Sequence, residues 1–157
     1  MIRDNESTQH LVSGLITIGQ ANADIPDIHE AFSLVETVGV NGALTFQVLA
    51  GTYTGNFIIK DIPGTSATNT FTIDGVDANN VLFTSVQIST DFTREPTFRI
   101  DGTDHITIKN ISFEKFTKLR ILGSNPPEEI GRTFEVYGVA DSVTLENNYF
   151  YNKDHQG

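Results

Sequence analysis

The residues with chemistry to offer are Asp74, Arg99, Asp101, Glu135 and Tyr137, with Asp104 just beyond them. They sit at matching places in three similar phrases. These are Thr70-Phe71-Thr72-Ile73-Asp74-Gly75-Val76, Thr97-Phe98-Arg99-Ile100-Asp101-Gly102-Thr103 and Thr133-Phe134-Glu135-Val136-Tyr137-Gly138-Val139. In an alternating strand Thr72, Arg99 and Glu135 form one outward stripe, and Asp74, Asp101 and Tyr137 form another. If the phrases stack in register, Asp74 and Asp101 lie within about one strand spacing, ~4.8 Å. Two carboxylates that close share a proton, recruit a cation or splay into water. The strip therefore suits a Ca²⁺ ion at Asp74, Asp101 and Asp104, a sugar-binding face, or an acid/base pair for glycan cleavage. Arg99 can hold a uronate, and Tyr137 or Tyr53 can stack on a sugar ring.

Each of these residues also has a plainer role. Asp-Gly is ordinary turn chemistry, with the carboxylate bonded to nearby backbone. Arg99 between Asp101 and Glu135 reads as a cross-strand ion pair in solvent, which contributes little. Tyr53 reads as corner packing. The third phrase replaces Asp with Tyr137 and has Ala140 where the next acid would fall, so the strip thins along the chain. The histidines, His10, His29, His105 and His155, show no ligand spacing, and there is no cysteine, so neither a zinc site nor a disulfide framework is indicated. No Gly-x-Ser-x-Gly elbow and no phosphate-cradling glycine loop is present.

The elements that must position the strip follow from patterning. Each phrase alternates, turns at glycine and leads to a second short strand: Val81-Leu82-Phe83, Ile106-Thr107-Ile108, then Val143-Thr144-Leu145. Phrases starting at Thr70, Thr97 and Thr133 suggest a repeated supersecondary unit of a solenoid. Phe71, Phe98 and Phe134 point inward and should form one ladder, with Ile73, Ile100 and Val136 forming the next. Asn110 and Asn147 fall at turns where left-handed backbone is needed.

Ahead of the phrases, residues 1–13 read as a flexible lead-in to a domain spanning 14–157. Leu15–Ile18 reads as a strand. Asp27 caps a helix over about 27–38 in a capping-box arrangement with Glu30. Ile28, Ala31, Phe32, Val35 and Val38 fall on one face, and Gly39 ends the element. That helix should cover the open end of the core and its strand edge. Asn41-Gly42 signals a turn, 44–48 a strand, Gly51–Gly55 a corner, and 57–62 a strand. Segments 85–96 and 116–132 read as excursions. Nothing after Phe150 resembles a cap, so the far end is expected to meet further rungs of the same chain or a partner subunit.

Strand, capping helix and then "LTFQVLAGTYTGNFII" resembles the opening of right-handed parallel β-helix proteins of the pectin-lyase-like type. "IPGTSATNTFTIDG" and "IDGTDHITIKNISFE" are similar to very large secreted surface proteins of Bacteroidetes-type bacteria. The resemblance covers roughly Gly14 to Asn152. It implies an all-β fold, a right-handed parallel β-helix with an N-terminal capping helix, an extracellular or cell-surface setting, and carbohydrate contact or adhesion. No lyase-like cluster of calcium aspartates with a catalytic Arg or Lys is found, nor a hydrolase-like aspartate trio.

Formal charge is −10, with 20 acidic and 10 basic residues and no basic stripe, which argues against nucleic acid and against an anionic membrane surface. No apolar run reaches membrane-spanning length. Three functions stay open. The first is a non-catalytic rigid spacer or adhesive surface that touches polysaccharide or another cell-surface glycan. The second is the N-terminal part of a polysaccharide lyase or glycoside hydrolase. The third is a trimeric phage tail-spike-like fibre.

Overall fold

The computed structural model describes residues 12–85, 96–117 and 133–154. The excursions expected at 85–96 and 116–132 fall almost wholly outside these residues, as does most of the lead-in, although Val12 and Ser13 already belong to the first strand. The strands are β1 (Val12–Ile18), β2 (Val40–Val48), β3 (Gly51–Thr54), β4 (Phe57–Lys60), β5 (Phe71–Asp74) and β6 (Val81–Thr84). They continue as β7 (Phe98–Asp101), β8 (Ile106–Lys109), β9 (Ser112–Thr117), β10 (Phe134–Tyr137), β11 (Val143–Glu146) and β12 (Tyr149–Asp154). One helix, α1 (Ile28–Val38), separates β1 from β2. The chain is thus mostly β.

Among the described residues all strand pairs are parallel, in three sheets ordered β1-β2-β5-β8-β11, β10-β7-β4 and β12-β9-β6-β3. From β2 onward, successive strands visit the three sheets in a fixed rotation. The four-residue strands explain how this is possible. β5, β7, β8 and β11 each carry two inward apolar residues and two outward polar ones, then turn at Gly or Asn. Asn110 and Asn147 do take the left-handed conformation expected of them, with φ 57° and 51°.

The core runs along the inner faces. In the four-stranded sheet Tyr53, Phe83, Phe113 and Phe150 occupy matching register positions. Ring centroids along that column are 5.2, 5.7 and 5.4 Å apart. In the three-stranded sheet Phe57, Phe98 and Phe134 align, and Phe98 stacks on Phe134 at 5.4 Å with only 4° between planes. Parallel register places like side chains over one another, so a flat ring finds a flat ring at about the strand spacing.

The first phrase does not join this ladder. Phe71 pairs with Leu44 and Ile106 in the five-stranded sheet, whereas Phe98 and Phe134 pair with each other in a different one. Only one strand lies between the first two phrases, against two between the second and third. The rotation therefore carries the first phrase to another face. The true partners of Thr72 are Thr45 and Thr107, the latter continuing to Thr144.

Helix α1 forms as its sequence dictates. The Asp27 carboxylate accepts the Glu30 amide at 2.9 Å, and Ile28, Ala31, Phe32 and Val35 are buried. Phe32 meets Phe98 edge-on at 5.9 Å, which seats the helix beside β4. Glu36 accepts the Lys60 amide at 2.8 Å, so the helix also satisfies the outer edge of β4. Asn41-Gly42, expected as a turn, lies within β2 instead, where pairing with β1 slips between Val12↔Val40 and Gly14↔Leu44. Gly51–Thr54, expected as a corner, is a strand.

The edge of β1 is met by Asp24, whose carboxylate accepts the Thr17 amide at 2.9 Å and its hydroxyl at 3.0 Å. These bonds, the amide's first, hold the Asp24 carboxyl below its ordinary 3.8. A carboxyl depressed in the folded state stabilises fully above 3.8, and that contribution fades as pH falls through the lower folded value. Asp24→Asn should therefore be less stable than the parent at neutral pH. The difference should shrink on acidification below the ordinary carboxyl value, which thermal unfolding at stepped pH would show.

Candidate functional site

The register divides the expected strip between two faces. Asp74 lies on the five-stranded sheet opposite Gln47 and Lys109. Asp101 lies on the three-stranded sheet opposite Lys60 and Tyr137. The two carboxylates are not neighbours along a ladder, so the close pair needed for proton sharing or for a Ca²⁺ site is not formed by register. Arg99, Glu135, Asp101 and Tyr137 do share one face, as their spacing indicated.

Most of these side chains are already engaged. One Asp74 oxygen accepts the Val76 amide and the Asn110 side-chain amide, both at 2.8 Å, while the other lies 3.8 Å from the Lys109 ammonium. Val76 has φ 67°, a left-handed position unusual for a β-branched residue, and the Asp74 bond fixes it. Asp104 accepts the Asp141 amide at 2.7 Å and so ties one turn to the next. Among the described residues no group of three or more His, Cys, Asp or Glu is placed to hold a metal ion. Asp74→Ala should lower the unfolding free energy by about 1–3 kcal/mol, since two amides lose a charged acceptor at a site screened on one side by solvent. Added Ca²⁺ should leave the size of that loss unchanged in urea titrations.

The three-stranded sheet carries the other cluster. Arg99 donates through Nε and Nη2 to one Glu135 oxygen, at 3.2 and 3.0 Å. Both side chains are shielded, at 22% and 12% exposure, so this pair is less solvated than the exposed ion pair the spacing alone suggests. The guanidinium also lies 5.6 Å from the centre of the Tyr137 ring, within cation–π range. Tyr137 itself is 58% exposed. The result is an exposed aromatic ring braced by a fixed cation, with Asp101 beside it in register.

Tyr53 behaves as corner packing. It is only 7% exposed, donates to the Leu49 carbonyl at 2.5 Å and accepts from Gln20 at 3.2 Å. Burial pushes its phenol pKa up, with the Gln20 bond opposing. It is not free to stack on a ligand.

Two features had no reading in the sequence. A cleft of about 210 Å³ lies between the start of α1 and strands β3 and β4, lined in part by Asp27, His29, Thr52, Thr54 and Phe57. The His29 ring stacks on Phe57 at 4.7 Å and its Nε2 lies 3.0 Å from the Asn56 carbonyl. A carbonyl can only accept, so Nε2 donates there, while Nδ1 lies 3.9 Å from an Asp27 carboxylate oxygen. The second feature is a buried carboxylate on the four-stranded sheet. Glu114 accepts the Thr84 hydroxyl at 3.0 Å inside the protein. The phenol of Tyr151, its neighbour in β12, is raised first by burial and then by the Glu114 charge. Neither had a signal: His29 is isolated in sequence, and Glu114 occupies an outward position that usually meets water.

Searches against protein-family models, characterised proteins and solved structures give no significant match. No described helix is long and apolar enough to cross a membrane.

Proposed function

We propose that this chain is a non-catalytic scaffold, a segment of right-handed parallel β-helix from a secreted or cell-surface protein. Its three-stranded-sheet face touches polysaccharide or another cell-surface glycan. The observation that carries this reading is the fate of the acidic residues. Asp74 and Asp104, the residues best typed for catalysis or for calcium, accept backbone amides at turns between parallel strands. Carboxylates committed in this way build the scaffold and are not free to act on substrate.

The rotation of strands through three parallel sheets and the aligned inward rings support the β-helix part. The resemblance of the opening segment supports the extracellular setting and the pectin-lyase-like assignment. The exposed Tyr137 ring supports glycan contact, since an aromatic face with a bonded cation behind it suits the C–H face of a sugar. The chain's −10 charge favours neutral glycans over polyanionic ones.

Affinity electrophoresis in gels containing soluble polysaccharides tests the contact. Mobility should fall in at least one neutral polymer, and Tyr137→Ala should restore it. Equal mobility with and without every polymer would remove glycan contact from the account. Release of unsaturated products from pectate or alginate in the presence of Ca²⁺ would overturn the non-catalytic reading.

A further inference from the structure

Strand β3 lies at an edge of the four-stranded sheet, and its one strand partner among the described residues is β6. Gly51 and Gly55 donate their amides across to the Asn80 and Thr84 carbonyls at 2.9 and 2.8 Å. Main-chain groups point to alternate sides along a strand, so Thr52 and Thr54 turn their N–H and C=O groups away from β6. The cleft of about 210 Å³ opens on that side, since its walls come from β3, β4 and the chain entering α1, and no described residue of β6 lines it. Asp27, His29 and the two exposed threonines supply its polar side chains. These groups are held in place by the protein itself. Asp27 accepts the Glu30 amide at 2.9 Å, and the His29 ring lies on Phe57 with 18° between planes while Nε2 bonds the Asn56 carbonyl. Little ordering is left for a ligand to impose.

We propose that this cleft binds one ring of a neutral sugar. Its volume falls below the roughly 300–1,000 Å³ of sites for cofactors and drug-sized ligands, which leaves room for a single ring. An anion is disfavoured, because the Asp27 carboxylate already caps the start of α1 and the chain carries −10. A metal ion is disfavoured too: Asp27 and His29 are partly bonded, and no group of three or more such ligands occurs among the described residues. An added peptide strand would need the whole edge of β3, but Gln20 bonds the Tyr53 hydroxyl and packs on Gly51, closing its first part. What remains is a set of donors and acceptors in alternation, the two hydroxyls among them, and a ring of hydroxyls matches both kinds. The His29 ring, braced by Phe57, gives that sugar a flat wall. Phe57 and Tyr137 belong to β4 and β10, at opposite edges of the three-stranded sheet, so binding here does not depend on contact at Tyr137.

Amide NMR of the full chain is the test, with the methyl glycosides of glucose, galactose, mannose and N-acetylglucosamine as probes. At least one should shift the Thr52 and Thr54 amides saturably, with a Kd of about 1–10 mM, the level a ligand of this size reaches. Thr52→Val and Thr54→Val keep the strand shape and remove one hydroxyl each, and each should weaken binding about 3–10-fold. Tyr137→Ala should leave the Kd unchanged, which separates this site from the glycan contact proposed above. The methyl glycoside of glucuronate should bind more weakly, and an acetylated, amidated Ser-Thr-Ser-Thr peptide should move neither amide. The dispersion of each variant's spectrum reports folding; should a variant not fold, the map of shifts in the parent decides, and shifts away from the cleft count against the site. No saturable shift with any neutral glycoside, tighter binding of the glucuronate or the peptide, or a Kd indifferent to both threonine changes would overturn the proposal.

Discussion

Phe98→Ala is expected to cost about 3–5 kcal/mol, the range for emptying a fully buried aromatic site. A typical domain has about 5–15 kcal/mol in total, so most of the margin is at stake. The residue is completely buried and touches Phe32, Phe83, Phe113 and Phe134, with centroids 5.9, 5.8, 5.3 and 5.4 Å away. Those contacts join the helix, the ring column of the four-stranded sheet and the next ring in its own column. Four-residue strands have little side-chain area with which to close a cavity, so relaxation should recover little of the loss. Phe150→Ala provides the contrast, because its ring lies in β12, the last described strand of its sheet, and is 44% exposed. Its cost in dilute solution should be less than half that of Phe98→Ala. Urea unfolding of both variants measures the difference, and equal losses would mean that Phe98 is not at the centre of the core.

The second large effect is expected at Gly64. Its φ is +91°, and a Cβ built there falls on the Val40 carbonyl oxygen. The chain has drawn these two segments together: the Val40 amide donates to the Pro63 carbonyl at 2.8 Å, and Gly39, which ends α1, faces Pro63 just as closely. Gly64→Ala therefore meets two penalties. Left-handed backbone costs about 1–2 kcal/mol for a residue with a Cβ, and the collision with the carbonyl of Val40, a residue whose amide is tied to Pro63, adds to it. A total of about 2–4 kcal/mol is expected, at the high end for a single methyl group. Gly14 separates the two terms. Its φ is +92°, but a methyl group placed on its Cα meets nothing within 4 Å, so Gly14→Ala should show the conformational term alone. Similar losses at both positions would remove the close approach from the explanation.

Much of the local structure could be read from residue order. Asp27, Glu30 and the apolar spacing of α1 specify the helix and its cap. Alternation in Phe71–Asp74 and Phe98–Asp101 specifies strands, and Asn110 and Asn147 mark left-handed turns. These features are decided by contacts within a few residues. The sheet to which each strand belongs is decided otherwise, by how many strands intervene. Phe-Thr-Ile-Asp and Phe-Arg-Ile-Asp suit either sheet equally well, so their likeness misplaced the first phrase and with it the Asp74–Asp101 pair. A better signal was present. Leu44-Thr45-Phe46-Gln47, Phe71-Thr72-Ile73-Asp74, Ile106-Thr107-Ile108-Lys109 and Val143-Thr144-Leu145-Glu146 share an apolar-Thr-apolar-polar pattern and are the strands that pair in register. Glu114 was illegible for another reason. An outward residue on a strand is read as solvated, and its burial depends on tertiary cover that no local pattern records.

The register of parallel strands splits the acidic strip, and the absence of cysteine permits a direct test of it on a clean background. Register partners in adjacent strands have Cα atoms about 4.8 Å apart, within the span a disulfide bridges. Three double variants suffice: Arg99→Cys with Glu135→Cys, Thr72→Cys with Thr107→Cys, and Thr72→Cys with Arg99→Cys. Under mild oxidation in dilute solution, the first two should form an intramolecular disulfide and the third should remain reduced, as mass spectrometry after alkylation would show. Efficient bridging of Thr72→Cys to Arg99→Cys, with failure of the other two pairs, would contradict the account.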